Sequence, residues 1–137
     1  MGTAGERIAM EPRTILRAEG FAILAAALAA YVVVLDGPLW LLAVLALAPD
    51  LSMIGYLAGP RIGSYAYNSV HTYVLPLVLG GAGFWIDAPL MMQVAAVWIG
   101  HIGADRLFGY GLKYASGFKD THLGGHQPAP EAVIEAE

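Results

Sequence analysis

The sequence predicts an all-α integral membrane protein, a four-helix antiparallel bundle with short loops. Hydrophobic residues make up 58% of the 137 residues and charged residues only 13%, whereas soluble domains carry about 25% charged residues. Four stretches of roughly 20 mostly apolar residues, the length that a bilayer requires, follow one another along the chain. The basic residues all fall on one side of these stretches, as they do in membrane proteins with cytoplasmic termini.

The four predicted spans are joined by very short turns. They cover about residues 14–35, 39–58, 62–84 and 88–108. Proline and glycine mark each turn, at residues 36–38, 59–60 and 86–89. Connections of this length force neighbouring helices to run antiparallel. We expect residues 1–12 to form a polar N-terminal segment, residues 13–124 the membrane domain with a cytoplasmic C-terminal segment, and residues 125–137 a disordered tail.

The charge pattern predicts the orientation. Asp36 and Asp87 lie in the first and third loops, which contain no basic residue. All basic residues lie at the two ends of the chain or in the second loop; they are Arg7, Arg13, Arg17, Arg61, Arg106, Lys113 and Lys119. Because cytoplasmic loops carry the excess of lysine and arginine, both termini are predicted to be cytoplasmic, in a multi-pass protein of the cell inner membrane.

Composition also excludes several classes of function. The chain has no cysteine, which excludes disulfides, thiolate zinc sites, iron–sulfur clusters and thiol catalysis. Its basic residues form no patch that could follow a phosphate backbone, so nucleic acid is not an expected partner. The lipid bilayer is the expected partner, and assembly into a homo-oligomer is an open alternative.

Five acidic residues and histidines lie inside the predicted spans, where such groups are costly and mark candidate functional sites. They are Glu19, Asp50, His71, His101 and Asp105. At about 1.5 Å of rise per residue, all five lie about 5 to 13 Å from the cytoplasmic ends of their helices. Four different helices therefore contribute polar groups at a similar depth, and we expect these groups to meet in one pocket.

The residue types in this set are those of a metal site. His101 and Asp105 are four residues apart and share a helix face. With Asp50 and His71 from facing helices they form a predicted ligand set for a divalent metal ion. We expect Pro49 to kink the second span and to turn Asp50 inward. Predicted catalytic residues are Glu19 and His122, either of which could act as general base.

Simpler interpretations of the same residues stay open. Glu19 could pair with a basic residue at the membrane interface, because side chains near a helix end reach water at little cost. Asp105 could pair with the adjacent Arg106. His71 could be a neutral histidine that is hydrogen-bonded across helices. The segment Asp120-Thr121-His122 could be a solvated turn.

Two long strings of the sequence carry a family resemblance, LAPDLSMIGYLAGPRIGSYAYNSVHTYVLP and WIGHIGADRLFGYGLKYASGFKDTHLG. They resemble the small bacterial integral membrane family known as domain of unknown function 4260. The resemblance covers about residues 13–124 and implies a membrane bundle, without an activity.

A weaker similarity links the chain to the inner-membrane metal-dependent hydrolases. The matching elements are Pro49-Asp50, His71-Thr72 and the His101–Asp105 helix, in that order. The first element lacks a further acidic residue, and the second has one histidine where that group has two. Glu19, Asp120 or His122 would have to complete a metal centre of that type.

Three functions are compatible with these residues. The first is metal-dependent hydrolysis of a lipid-like or amphipathic substrate that reaches the site from the cytoplasmic leaflet. The second is electron transfer by a haem held between His71 and His101. The third is a non-enzymatic role as a small transport protein or membrane scaffold.

Overall fold

The computed structural model describes residues 11–112, and no strand occurs in this range. The elements are the helices α1 (Pro12–Ala29), α2 (Leu39–Leu47), α3 (Pro60–Val70), α4 (Val74–Trp85) and α5 (Pro89–Leu107). A π-helical turn, Ala30–Val34, extends α1, and a 3-10 segment, Ala48–Ala58, extends α2. The prediction of an all-helical chain is therefore confirmed.

The first and last helices, α1 and α5, pack against each other in antiparallel orientation. At one end of the pair, Arg17 Nε donates to the carbonyl of Leu107 at 2.8 Å. At the other end, Gln93 Nε2 donates to the carbonyl of Leu35 at 3.0 Å. The two ends of the described chain consequently lie at the same end of the bundle.

Glycine allows this pair of helices to approach closely. A Cβ atom on Gly103 would lie 2.8 Å from the carbonyl oxygen of Gly20, and one on Gly20 would lie 2.7 Å from that of Gly103. Gly100 faces Ala27 one turn further along α5. Backbone-to-backbone contact of this kind is typical of helix pairs that pack through small residues.

The second predicted span is continuous in the chain but changes its helical type at Pro49. The α-helix ends at Leu47, and 3-10 geometry continues from Ala48 to Ala58. Proline has no N–H group to donate to the carbonyl four residues earlier, which weakens the α-helical pattern at this point. The tighter 3-10 turn changes the direction in which the following side chain, Asp50, projects.

The third predicted span, residues 62–84, is divided into two helices, and here the structure differs from the expectation of one continuous helix. Helix α3 ends at Val70, three residues do not belong to a helix, and α4 begins at Val74. Pro76 supplies a physical reason, since proline is tolerated in the first turn of a helix and disrupts a helix interior. Neither α3 nor α4 alone is long enough to cross a bilayer.

Among residues 11–112, two helical stretches are long and apolar enough to cross a membrane, Pro12–Val34 and Leu39–Ala58. Only 17% and 11% of their most apolar windows are buried within the chain. Large apolar side chains on both are therefore exposed, among them Val33 at 78% and Leu47 at 71% exposure. These helices are not the covered core of a soluble domain.

Candidate metal centre

Four side chains from three parts of the fold converge in the half of the bundle that holds the chain ends. Asp50 comes from the 3-10 segment, His71 from the residue that follows α3, and His101 and Asp105 from adjacent turns of α5. One potential ligand atom from each residue lies within 4.8 Å of all the others. The structure thus brings together four of the five ionisable residues that the sequence placed at similar depth.

The separations between these atoms are short and uniform. The Nε2 atoms of His71 and His101 lie 3.3 Å apart. Asp50 Oδ1 lies 3.3 Å from the first and 3.1 Å from the second. Asp105 Oδ2 lies 3.4 Å from each. Ligand atoms that bind a metal tetrahedrally at about 2.0 to 2.1 Å lie about 3.3 Å from one another, and these five separations are close to that value. The sixth separation, between the two carboxylate oxygens, is at most 4.8 Å.

Backbone carbonyls determine which nitrogen of each imidazole carries the proton. His71 Nδ1 lies 2.8 Å from the carbonyl oxygen of Tyr67, and His101 Nδ1 lies 2.5 Å from that of Ala46. A carbonyl only accepts hydrogen bonds, so both Nδ1 atoms must be the donors. In the neutral form of each ring, the lone pair is therefore on Nε2, which faces the centre.

The consequence is a cluster of four acceptors with no donor among them. With both rings neutral, two imidazole lone pairs and two carboxylate oxygens face one another at hydrogen-bond distance, an arrangement that needs a positive charge, and a bound metal ion would supply it. Imidazole nitrogens whose other N–H is bound to a backbone carbonyl are the usual form of histidine metal ligands. Protonation of the imidazoles is the alternative source of positive charge.

The 3-10 segment explains why one of these carbonyls, that of Ala46, is available to accept from His101. In a continuous α-helix the carbonyl of Ala46 would accept from the N–H of Asp50, four residues later. In a 3-10 helix each N–H pairs with the carbonyl three residues back. The change of helical type at Pro49 thus makes the Ala46 carbonyl accessible to His101 and moves Asp50 towards the same point.

The cluster is buried on one side and open on the other. The side chains of His71 and His101 are 3% and 8% exposed, and that of Asp105 is 19% exposed. The Asp50 side chain is 43% exposed. Small molecules would therefore reach the cluster past Asp50.

Tyr67 contacts the cluster in three ways. It was not among the site residues predicted from the sequence. Its ring stacks on the imidazole of His71 with centroids 3.7 Å apart and an angle of 3° between the planes. Its hydroxyl donates to Asp105 Oδ2 at 3.3 Å. Its carbonyl accepts from His71, as described above. The spacing of four residues between Tyr67 and His71, on one face of α3, was the available signal.

Two side chains of α5 donate hydrogen bonds to the backbone at the break that follows α3. Trp98 Nε1 donates to the carbonyl of Val70 at 2.6 Å, and Arg106 Nη2 donates to that of His71 at 3.5 Å. The Arg106 guanidinium also lies 5.4 Å from the centre of the Tyr73 ring. A helix end leaves carbonyls without partners, and these contacts satisfy them.

Of the two residues predicted to be catalytic, the structure describes one, Glu19, and it lies outside this cluster. Glu19 is exposed on α1, next to the glycine that packs on α5. His122 lies outside the described residues, as do Asp120 and the predicted tail over residues 125–137. Their roles remain predictions from the sequence.

Comparison with known proteins gives a family but no activity. No curated protein and no solved structure matches the chain significantly. One family model, described as domain of unknown function DUF4260, matches residues 13–125, which is most of the chain and contains all four clustered residues. The chain therefore belongs to the DUF4260 family.

Proposed function

We propose that this protein is a four-pass integral membrane enzyme in which Asp50, His71, His101 and Asp105 bind a divalent metal ion for hydrolysis of an amphipathic substrate. The observation that carries the proposal is the convergence of four acceptor atoms, with both histidine tautomers determined by backbone carbonyls. Acceptors at these distances repel one another unless a metal ion or a proton lies between them, and a metal ion satisfies all four at once.

Membrane insertion is supported by where the apolar side chains and the charges lie. Apolar residues cover the outside of all helices, and examples are Phe21, Val44, Val78 and Leu90, each more than half exposed. Exposed apolar surface on so many helices is unusual for a soluble monomer. If α3 and α4 together make the third pass, their break lies inside the bundle against α5, where non-helical backbone is tolerated.

The orientation follows from the antiparallel packing. Arg17 and Arg106 lie at the end of the bundle that holds the chain ends, and Arg61 lies in the first turn of α3. Asp36 and Asp87 lie in the two turns at the opposite end. With basic residues on the cytoplasmic side, the metal centre is in the cytoplasmic half of the membrane.

The donor set, two imidazole nitrogens and two carboxylate oxygens, suits a divalent metal ion. Imidazole nitrogen is a good ligand for Zn²⁺ and Fe²⁺, and carboxylate oxygen for Mn²⁺ and Mg²⁺. An ion that takes five or six ligands would keep a position for water on the open side, next to Asp50. Such an ion lowers the pKa of bound water and polarises an ester or phosphoester oxygen, which is the chemistry that hydrolysis requires.

Metal content tests this proposal directly. We expect purified protein in detergent, after incubation with Zn²⁺ or Mn²⁺ and removal of the excess, to retain one ion per chain by elemental analysis. The variants Asp50→Ala and His101→Ala should lose it. Asp87→Asn is the matched control, because Asp87 is an exposed acidic residue in a turn far from the cluster and should retain the ion.

An absence of metal in the wild-type protein, or equal metal content in all four proteins, would contradict the proposal. Proton flux in liposomes that is lost in Asp50→Asn would then favour a transport role. The haem alternative has no support in this geometry. A porphyrin between His71 and His101 would have to occupy the space where two carboxylate oxygens lie 3.1 to 3.4 Å from the same nitrogens.

A further inference from the structure

A cleft lined by apolar side chains lies close to the metal centre along the chain. Its volume is about 260 Å³, and it is lined by Leu45, Ala48, Pro49, Val70, Val94 and Trp98. Two of these residues directly precede ligands in the chain, since Asp50 follows Pro49 and His71 follows Val70. The cleft therefore lies beside the backbone segments that carry two of the four candidate ligands.

The cleft extends away from the end of the bundle that holds the chain termini. Along α5, Val94 and Trp98 precede His101, so the far wall of the cleft lies about 10 Å from that ligand at about 1.5 Å per residue. In the proposed orientation this direction leads from the cytoplasmic leaflet towards the middle of the bilayer. A lipid of that leaflet places its ester groups near the headgroups and its hydrocarbon chains in this same direction.

The cleft is open at its side. Helices α2 and α4 each pack against α5 but make at most marginal contact with each other. Below the centre, in contrast, the 3-10 segment packs closely on α3, with a Cβ on Gly55 only 2.9 Å from Ala66 Cβ. Helices α2 and α4 thus diverge above the metal centre, and no contact between them closes the cleft, whose lining includes no residue of α4.

The chemistry of the lining identifies the occupant. No charged side chain lines the cleft, and the one polar side-chain group, the Trp98 indole N–H, donates to the Val70 carbonyl. The lining therefore offers a ligand no side-chain hydrogen bond. A hydrocarbon chain is the group that gains from such a surface, at about 0.8 kcal/mol per buried methylene in general.

We infer that the cleft binds the acyl chain of a long-chain ester and presents the ester carbonyl to the metal centre. This inference rests on the proposed function for the reaction itself. In that reaction, water adds to the carbonyl carbon and the bond from that carbon to the leaving alcohol oxygen breaks. The alcohol takes a proton that water gave up, so a carboxylic acid and an alcohol leave.

The first experiment tests chain binding without any catalysis. The double substitution Trp40→Phe and Trp85→Phe leaves Trp98 as the one tryptophan of the chain. This variant is reconstituted in phosphatidylcholine vesicles whose acyl chains carry bromine. Bromine quenches the fluorescence emission of a nearby indole. We expect Trp98 to lose emission relative to unbrominated vesicles, and we expect the added Val94→Phe substitution to restore it. Val78→Phe, on an exposed part of α4, is the matched control and should restore nothing.

Emission that is the same in both vesicles, or quenching that Val94→Phe leaves unchanged, would overturn the inference. These outcomes are independent of the proposed function. If the protein binds no metal and hydrolyses no ester, the proposed function fails, while the quenching still decides whether the cleft holds an acyl chain.

The second experiment tests the cleft in catalysis. With metal-loaded protein, Val94→Phe should lower kcat/KM for p-nitrophenyl dodecanoate by about tenfold or more, the usual effect of mismatched volume in an apolar pocket. It should leave kcat/KM for p-nitrophenyl acetate unchanged, because the acetyl group does not reach the cleft. Equal losses for both esters would show damage to the centre and would overturn the acyl-chain assignment.

Discussion

At the scale of single residues, Tyr67 connects two of the four candidate ligands. Its carbonyl and its ring orient the imidazole of His71, and its hydroxyl orients the carboxylate of Asp105. Groups that hold ligands in this way contribute to metal affinity even though they do not touch the ion. The same role is played for His101 by the backbone of Ala46.

Tyr67→Phe should weaken metal binding by about tenfold, because it removes the hydroxyl that orients Asp105 and keeps the stacked ring and the carbonyl. Competition with a chromophoric chelator in detergent measures the affinity. Tyr65→Phe is the control, since Tyr65 is 78% exposed on the same helix. An unchanged affinity in Tyr67→Phe would show that this hydroxyl does not position the carboxylate.

Glu19 is the residue for which sequence and structure point in different directions. Its predicted role is general base, yet its side chain is exposed on α1 and outside the cluster. If the role is correct, Glu19→Gln should retain metal and lower the hydrolysis rate by about a hundredfold, as loss of general base catalysis does. A variant with full activity would assign Glu19 to the membrane interface.

At the scale of helices, departures from regular α-helix build the site. The 3-10 segment redirects Asp50, and the break after Val70 places His71 at a helix end, where its ring can turn towards α5. Helix α5 in turn holds the break through Trp98. A continuous α-helix in either pass would direct these ligands elsewhere, because successive residues rotate by about 100° in an α-helix and about 120° in a 3-10 helix.

The close contact of α1 with α5 gives a stability prediction. Gly103→Ala should lower stability by about 1 to 3 kcal/mol, because the added methyl group would lie 2.8 Å from the backbone of Gly20. Thermal unfolding in detergent, followed by circular dichroism, measures this change. Gly81→Ala is the control, since nothing lies within 4 Å of its added Cβ. It should be neutral or stabilising by up to about 1 kcal/mol.

At the scale of the whole molecule, the basic residues described and the turn residues Asp36 and Asp87 lie towards the two ends of the bundle, and exposed apolar side chains lie around its circumference. The antiparallel pairing of α1 and α5 requires that residues 11 and 112 lie on the same side. This asymmetry predicts the orientation in the membrane, and the lack of cysteine makes the prediction easy to test.

Single cysteines report the orientation through a membrane-impermeant thiol reagent applied to intact spheroplasts. Leu39→Cys and Ile86→Cys lie at the end away from the chain termini and should be labelled. Ile62→Cys should be labelled only after the membrane is opened, because it lies at the cytoplasmic end. All three side chains are more than half exposed, so differences in labelling between them report the side of the membrane. Labelling of Ile62→Cys in intact spheroplasts would show that the protein has the opposite orientation.

Much of the architecture was predictable from local pattern. Apolar length and turn residues predicted helices close to those observed, with α5 at Pro89–Leu107 against an expected 88–108. Helical rise also placed Asp50, His71, His101 and Asp105 at one depth. These properties depend on residues near one another in the chain, and hydropathy and turn chemistry report them directly.

The direction of each side chain depended on packing between distant parts of the chain. Depth predicted that Glu19 would join the cluster, but the rotation of α1 about its axis is set by the glycine contact with α5, and Glu19 stays outside. The break at residues 71–73, the choice of histidine tautomer and the contacts of Tyr67 likewise arise from carbonyls and side chains brought in by other helices. Hydrophobicity determines which segments are helical and how long they are, whereas helix rotation and non-α-helical turns decide which polar groups meet.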